Sequence, residues 1–228
     1  MIPKILISIT TTEGSNWRSK PKEADDLGIK ELAIFVTCLD LSERQELYDL
    51  LLAHHINSVP FAHVKGDMPL KELEFLHNTF GTEVFNIHDP AQYIAPYYYG
   101  TFSSRIGVEN TIVPLQEETL KKFGGICLDI SHMENDRINN KKRYAHNLPI
   151  LQRYPVLMNH ISAIKLETKT NEEVGEQRND SHILNNLSEV DYVKNWQNFF
   201  SPYMAIELEN SLSKQLEVKS YLEKLLFI

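Results

Sequence analysis

Residues 105–132 read RIGVENTIVPLQEETLKKFGGICLDISH, and this stretch holds one whole repeating unit of the chain. It opens on a short apolar run at 105–111 and closes on another at 125–132. Between them Pro114 is suited to open a helix over Leu115 to Phe123, and Gly124-Gly125 to stop it. Near-continuous apolar runs of this length are what parallel strands need when both faces are covered.

The same unit recurs in both directions. Upstream lie apolar runs at 4–10 (KILISIT), 31–38 (ELAIFVTC), 58–65 (SVPFAHVK) and 83–89 (EVFNIHD); downstream lie 161–167 (ISAIKLE) and 203–209 (YMAIELE). Helix signals fill the gaps. Ser42-Glu43-Arg44-Gln45-Glu46 reads as a cap with an acidic first turn before Leu47, Leu50 and Leu51. Pro69 precedes Leu70, Leu73 and Leu76, with a stop near Gly81; Ser188 and Ser213 begin two further segments. The segments at 21–27 and 90–100 are shorter and less sharply signalled. Eight strand–helix units with no leftover predict a single (β/α)8 TIM barrel over residues 1–228, with a doubly wound open sheet as the alternative.

Length and composition agree. One such barrel fills about 200–250 residues, and this chain has 228, of which 42% are hydrophobic and 24% charged. Lys plus Arg number 23 against 31 Asp plus Glu, a formal net charge of −8, which excludes a simple basic nucleic-acid coat. Cys38 and Cys127 lie far apart without CxxC spacing, so neither a disulfide framework nor a thiolate zinc site is expected. The run at 5–9 is too short for a signal segment and no apolar stretch is long enough to span a bilayer. A soluble, cytoplasmic protein without membrane partners is expected.

In a barrel of this kind the chemistry sits at the C-terminal ends of the strands. Strand three delivers His63 there, strand four His88, strand five Glu109, and strand six Asp129 with His132 just beyond. The seventh run delivers Lys165 and Glu167, the eighth Glu207 and Glu209, and the loop after the seventh adds Asp180-Ser181-His182. Four of nine histidines therefore converge on one rim. By alternation Glu109 shares a face with Gly107, Lys165 with Ala163 and Glu207 with Ala205; charged groups backed by small residues suit the top layer of a barrel. Glu207 and Glu209 share that face, so alternation alone does not choose between them. Carboxylates converging with imidazoles form a divalent-metal site, for Zn or Mn, without thiolates to discriminate. His160 precedes the seventh run and is assigned to the opposite, stabilising face. Tyr97-Tyr98-Tyr99-Gly100 reads as a packed loop.

Val108-Glu109-Asn110-Thr111, Leu128-Asp129-Ile130-Ser131-His132, Asp180-Ser181-His182 and Ala205-Ile206-Glu207 follow one another in a recognisable order. With them the chain resembles the xylose-isomerase-like TIM-barrel superfamily, which includes sugar and sugar-phosphate isomerases and epimerases and the endonuclease IV enzymes (apurinic-site endonuclease family 2). The resemblance implies that Glu109, Asp129 and Glu207 are metal ligands. In the endonuclease-like branch it implies His63 and His88 for a first ion bridged by Glu109 to a second, and His132, Asp180 and His182 for a third. One to three divalent ions per chain follow. On strand seven, where both branches place a metal-binding His, the reading puts Lys165, free to bridge Glu207, bind phosphate or form a Schiff base.

Three functions are then in play. The leading one is a metal-dependent isomerase or epimerase of a sugar or sugar phosphate, with Glu109 and Glu207 moving a proton across an enediolate and Lys165 assisting. The second is multi-metal phosphodiester hydrolysis, which His63, His88 and Asp180-Ser181-His182 favour and which Lys165, short loops and the net charge oppose. Nucleic acid is accordingly a less favoured partner than a small molecule. The third is a non-catalytic barrel that binds a ligand or metal.

Overall fold

The computed structural model describes residues 2–12, 15–90, 92, 99–172 and 175–227. The first strand runs in two segments, Lys4–Leu6 and Ser8–Thr10. It is followed by Ala33–Phe35, Phe61–His63, Val84–His88, Ile106–Glu109, Gly125–Asp129, Val156–Ile161 and Tyr203–Ile206. Every neighbouring pair is parallel. Lys4–Leu6 pairs with Tyr203–Ile206 and Ser8–Thr10 with Ala33–Phe35, so the first strand closes the ring through Ile7. The expected α/β TIM barrel is the observed one.

Two apolar layers hold it. Between strands and helices lies a broad core that includes Ile34, Leu47, Leu51, Leu73, Phe85, Ile126 and Val193. Inside the ring, Leu6, Ala33, Phe35, Phe61, Cys127, Met158 and Ala205 form a plug. Each fully buried aliphatic or aromatic side chain here is worth roughly 1.5–3 kcal/mol. The plug needs one gap: a Cβ on Gly107 would lie 2.6 Å from Met158 Sδ and 2.7 Å from the Cys127 backbone nitrogen. Glycine at this position lets the fifth and sixth strands close over the plug and leaves the level above to Glu109.

The helices start and stop where side chains satisfy their ends. Asp40 caps Leu41–Ala53 through a reciprocal capping box with Glu43, and Gly81, at φ 68°, ends Leu70–Phe80 in the left-handed conformation. The segment expected over 115–123 is helical only at Glu117–Leu120, and Leu187–Phe199 forms 3-10 turns rather than an α-helix. After the sixth strand come two helices, Ile130–Asn139 and Lys141–Leu151. Most of 90–100, Tyr97 and Tyr98 included, lies outside the described residues; Tyr99 is buried.

The seventh strand requires a correction. It is Val156–Ile161, not the run at 161–167. Ala163–Asn171 instead forms one arm of an antiparallel hairpin whose other arm is Glu176–Ser181, outside the ring. The physical reason is the face each run must show. VLMNHI is buried on both sides once in the ring, whereas Ile164-Lys165-Leu166-Glu167-Thr168-Lys169 alternates apolar and polar residues and is solvated along most of its length. What reads as a loop over 168–187 is largely this hairpin.

Candidate metal centre

Parallel pairing sets the strand ends level. His88 stands in register with Glu109, and Asp129 with His160. His160, assigned from the sequence to the opposite face, therefore points into the ring at the level where the carboxylates end. Lys165 does not occupy that place: it lies on the hairpin, with Nζ 2.6 Å from Glu189 Oε2. Glu207 and Glu209 also part. Glu207 is 8% exposed and faces His160, whereas Glu209 accepts a hydrogen bond from Thr12 at the rim.

Glu109 is the hub. Its Oε2 lies 3.4 Å from His63 Nε2, 4.0 Å from His88 Nε2 and 3.7 Å from His160 Nδ1, while Oε1 lies 3.7 Å from His132 Nδ1. Asn86 donates to Oε2 at 2.9 Å and steadies the carboxylate. Asp129 ends the sixth strand and caps the next helix: Oδ1 accepts from the His132 backbone N–H at 2.8 Å and from the Ser131 hydroxyl. Oδ2 is left bare, 3.7 Å from His132 Nδ1 and 3.8 Å from His160 Nδ1. His160 Nδ1 in turn lies 3.3 Å from Glu207 Oε2, and His182 Nε2 lies 3.8 Å from Glu207 Oε1.

Every metal-ligating candidate read from the sequence thus joins one chain of contacts, but not equally tightly. Three overlapping groups bring one ligand atom from each member within 4.8 Å of the others: His63, Glu109 and His160; Glu109, Asp129 and His132; Asp129, His160 and Glu207. His88 stands at their edge, its ring 4.6 Å from that of His63. Asp180 and His182 fall outside the three groups. Asp180 lies 3.5 Å from His132 Nε2 but is held on both oxygens by Arg178.

The electrostatics suit a cation. Glu109, Asp129 and Glu207 are all buried. Burial, reinforced by Glu207 and Asp129, drives the Glu109 carboxyl well above its ordinary range. Burial works the same way on Asp129 and Glu207, but the adjacent imidazoles outweigh it and hold both below their usual range. Burial also lowers His63 well below the ordinary imidazole value and takes His88 to about 4, so both are neutral near pH 7, the form that ligates metals. Neither ring nitrogen of His63 or His160 completes a hydrogen bond, nor does Asp129 Oδ2. Buried polar atoms are rarely left unpaired, and these residues all belong to the overlapping ligand groups. The residues therefore fit divalent ions. His132 is already oriented for one: its Nδ1 lies 2.9 Å from the Asn110 carbonyl, and donation there leaves the Nε2 lone pair for a metal.

His160 is the site residue the sequence reading missed. The available signal was the apolar start Val156-Leu157-Met158, which leads into Asn159-His160-Ile161 as the other strands lead into their rim residues, against the alternation that follows.

No model of a known protein family matches the chain, and no curated protein matches it in sequence. Solved structures do match in fold. A xylose isomerase domain protein from Planctomyces limnophilus aligns over 97% of this chain and 96% of its own, at 14% identity and a TM-score of 0.50. A xylose isomerase-like TIM barrel protein from Mycobacterium smegmatis, crystallised in complex with magnesium, aligns over 99% and 98%, at 11% identity and a TM-score of 0.48.

Proposed function

We propose that this chain, which has the xylose-isomerase-like TIM-barrel fold, is a metal-dependent phosphoester hydrolase with a multinuclear centre. One observation carries the reading: three ligand groups overlap pairwise, Glu109, Asp129 and His160 each belonging to two of them. With His160 on the seventh strand, the lysine in a ligand's place, which weighed against both chemistries, is gone.

His63, His88 and Glu109 would hold one ion, Glu109, Asp129, His160 and Glu207 a second, and His132 with Asp180 and His182 a third. When bound, such ions activate water and stabilise the charge that develops on the oxygens of a phosphoester. The chain's own residues do the rest. Asn86 fixes Glu109, and Asn110 fixes the sixth strand's end: its Nδ2 donates to the Asp129 carbonyl at 2.9 Å and its Oδ1 accepts the Asp129 N–H at 2.8 Å. His132 and His182, both partly exposed, face the cleft in which the ester lies. Water supplies the new oxygen–phosphorus bond, the ester P–O bond breaks, and the departing alkoxide takes a proton from the water.

Metal analysis after gentle purification tests the centre, with two or three equivalents per chain expected and one or none counting against it. Hydrolysis of bis-p-nitrophenyl phosphate with added Zn or Mn tests the chemistry; a rate no higher than that of the free metal sinks it. A second reading has its own support. Glu109 is pushed up and Glu207 down, the division of acid and base that an isomerase or epimerase of a sugar phosphate uses. Exchange of carbon-bound hydrogen with deuterated water across a panel of sugar phosphates separates the two.

A further inference from the structure

Resting on the phosphoester reading, we infer that the hairpin after the seventh strand is a phosphate clamp, built by Lys169 and Arg178, which selects small substrates carrying a second phosphate beside the ester that is cut. Lys169 on one arm stands directly opposite Arg178 on the other. Like charges in that relation repel across a gap of about 4.5–5.5 Å between Cβ atoms, and an anion between them turns the repulsion into binding. Lys169 is exposed and has no ion pair among the described residues, while Arg178 is buried to within 14% of its side chain against Asp180. Both line a cleft of about 450 Å³ that also contains His88, His132 and His182. That volume suits a ligand of nucleotide size.

The clamp is held rigidly. Between Arg178 and Asp180 the pairing register shifts, a bulge of the kind that redirects side chains beside active sites. Arg143 grips Glu176 at 2.8 Å through both terminal nitrogens, the Asn179 backbone N–H reaches Asn135 Oδ1 at 2.8 Å, and Lys165 holds Glu189. The hairpin therefore places Lys169, unpaired among the described residues, beside an Arg178 already held against Asp180, over a site rich in carboxylates on a chain of net charge −8. Broad phosphate contacts to a duplex have no counterpart there, but one extra phosphate does.

Thymidylyl-thymidine with and without a 5′-phosphate tests the selection. The metal-loaded protein is expected to cleave the phosphorylated form with about tenfold higher kcat/KM, and Lys169→Ala to abolish the difference. A preference that survives Lys169→Ala, or no preference in the wild type, overturns the clamp. If neither compound is cleaved, the hydrolase reading fails but the clamp is still decided, by titrating inorganic phosphate into metal-stripped protein in a calorimeter. Saturable binding weakened about tenfold by Lys169→Ala supports it. No binding, or equal affinity in the variant, refutes it.

Discussion

His160 and Lys165 are five positions apart and have opposite fates. His160 lies wholly buried among Phe35, Phe61, His63 and three carboxylates, with both ring nitrogens lacking a hydrogen bond. Lys165 is paired with Glu189 on the hairpin. The difference is measurable. His160→Gln is expected to lose at least one equivalent of bound metal in elemental analysis, while Lys165→Met keeps the wild-type content. The reverse result would return the seventh-strand ligand to the hairpin. Asn86 provides a graded test at the same scale: it touches no ion but orients Glu109, so Asn86→Ala should weaken metal affinity about 10- to 100-fold without changing the stoichiometry.

At the scale of elements, most of the barrel was legible because two periodicities were present together. Continuous apolar runs marked buried parallel strands, and the residues just beyond them marked the rim. His63, His88, Glu109, Asp129 and Glu207 could be placed that way, since each ends or directly follows a strand that an apolar run had located. The seventh unit failed because two runs adjoin, separated only by Ser162, and an apolar count does not say which enters the ring. Only burial on both faces distinguishes them, and that depends on what packs outside. In Lys141-Lys142-Arg143, which opens a helix, the two lysines are exposed and Arg143 is buried. Its guanidinium binds Asp136 at 2.6 and 2.8 Å and Glu176 at 2.8 Å, tying the helix pair to the hairpin. Arg143→Met leaves Asp136 buried without its partner, a loss of about 3–5 kcal/mol in denaturant unfolding. Glu176→Gln, whose partner keeps Asp136, should cost under ~1 kcal/mol but speed hydrogen exchange in the hairpin amides. Unchanged exchange of the hairpin amides in Glu176→Gln would show that Arg143 does not anchor the hairpin.

For the whole molecule, the centre sets function against stability. Three carboxylates and five imidazoles occupy the mouth of a ring whose lower level is apolar, and their mutual repulsion and desolvation are costs that folding bears unless cations offset them. Ions that bind the folded chain and not the unfolded one stabilise it by RT ln(1 + [L]/Kd), about 2.7 kcal/mol at a free concentration one hundred times Kd. For a chain of this length each kcal/mol moves the melting temperature by ~2–4 °C, so loading should raise it by ~5–11 °C. Chelation of the wild type should lower the calorimetric melting temperature by that amount, and added Zn or Mn should restore it. Glu109→Gln removes the hub that two of the three ligand groups share and also removes a carboxyl that burial drives well above its ordinary range. Its melting temperature should therefore respond little to metal and should equal or exceed that of the chelated wild type. A Glu109→Gln protein that melts below the chelated wild type would mean that Glu109 stabilises the ring as a structural group. A wild type indifferent to chelation would mean that the polar mouth is tolerated without ions.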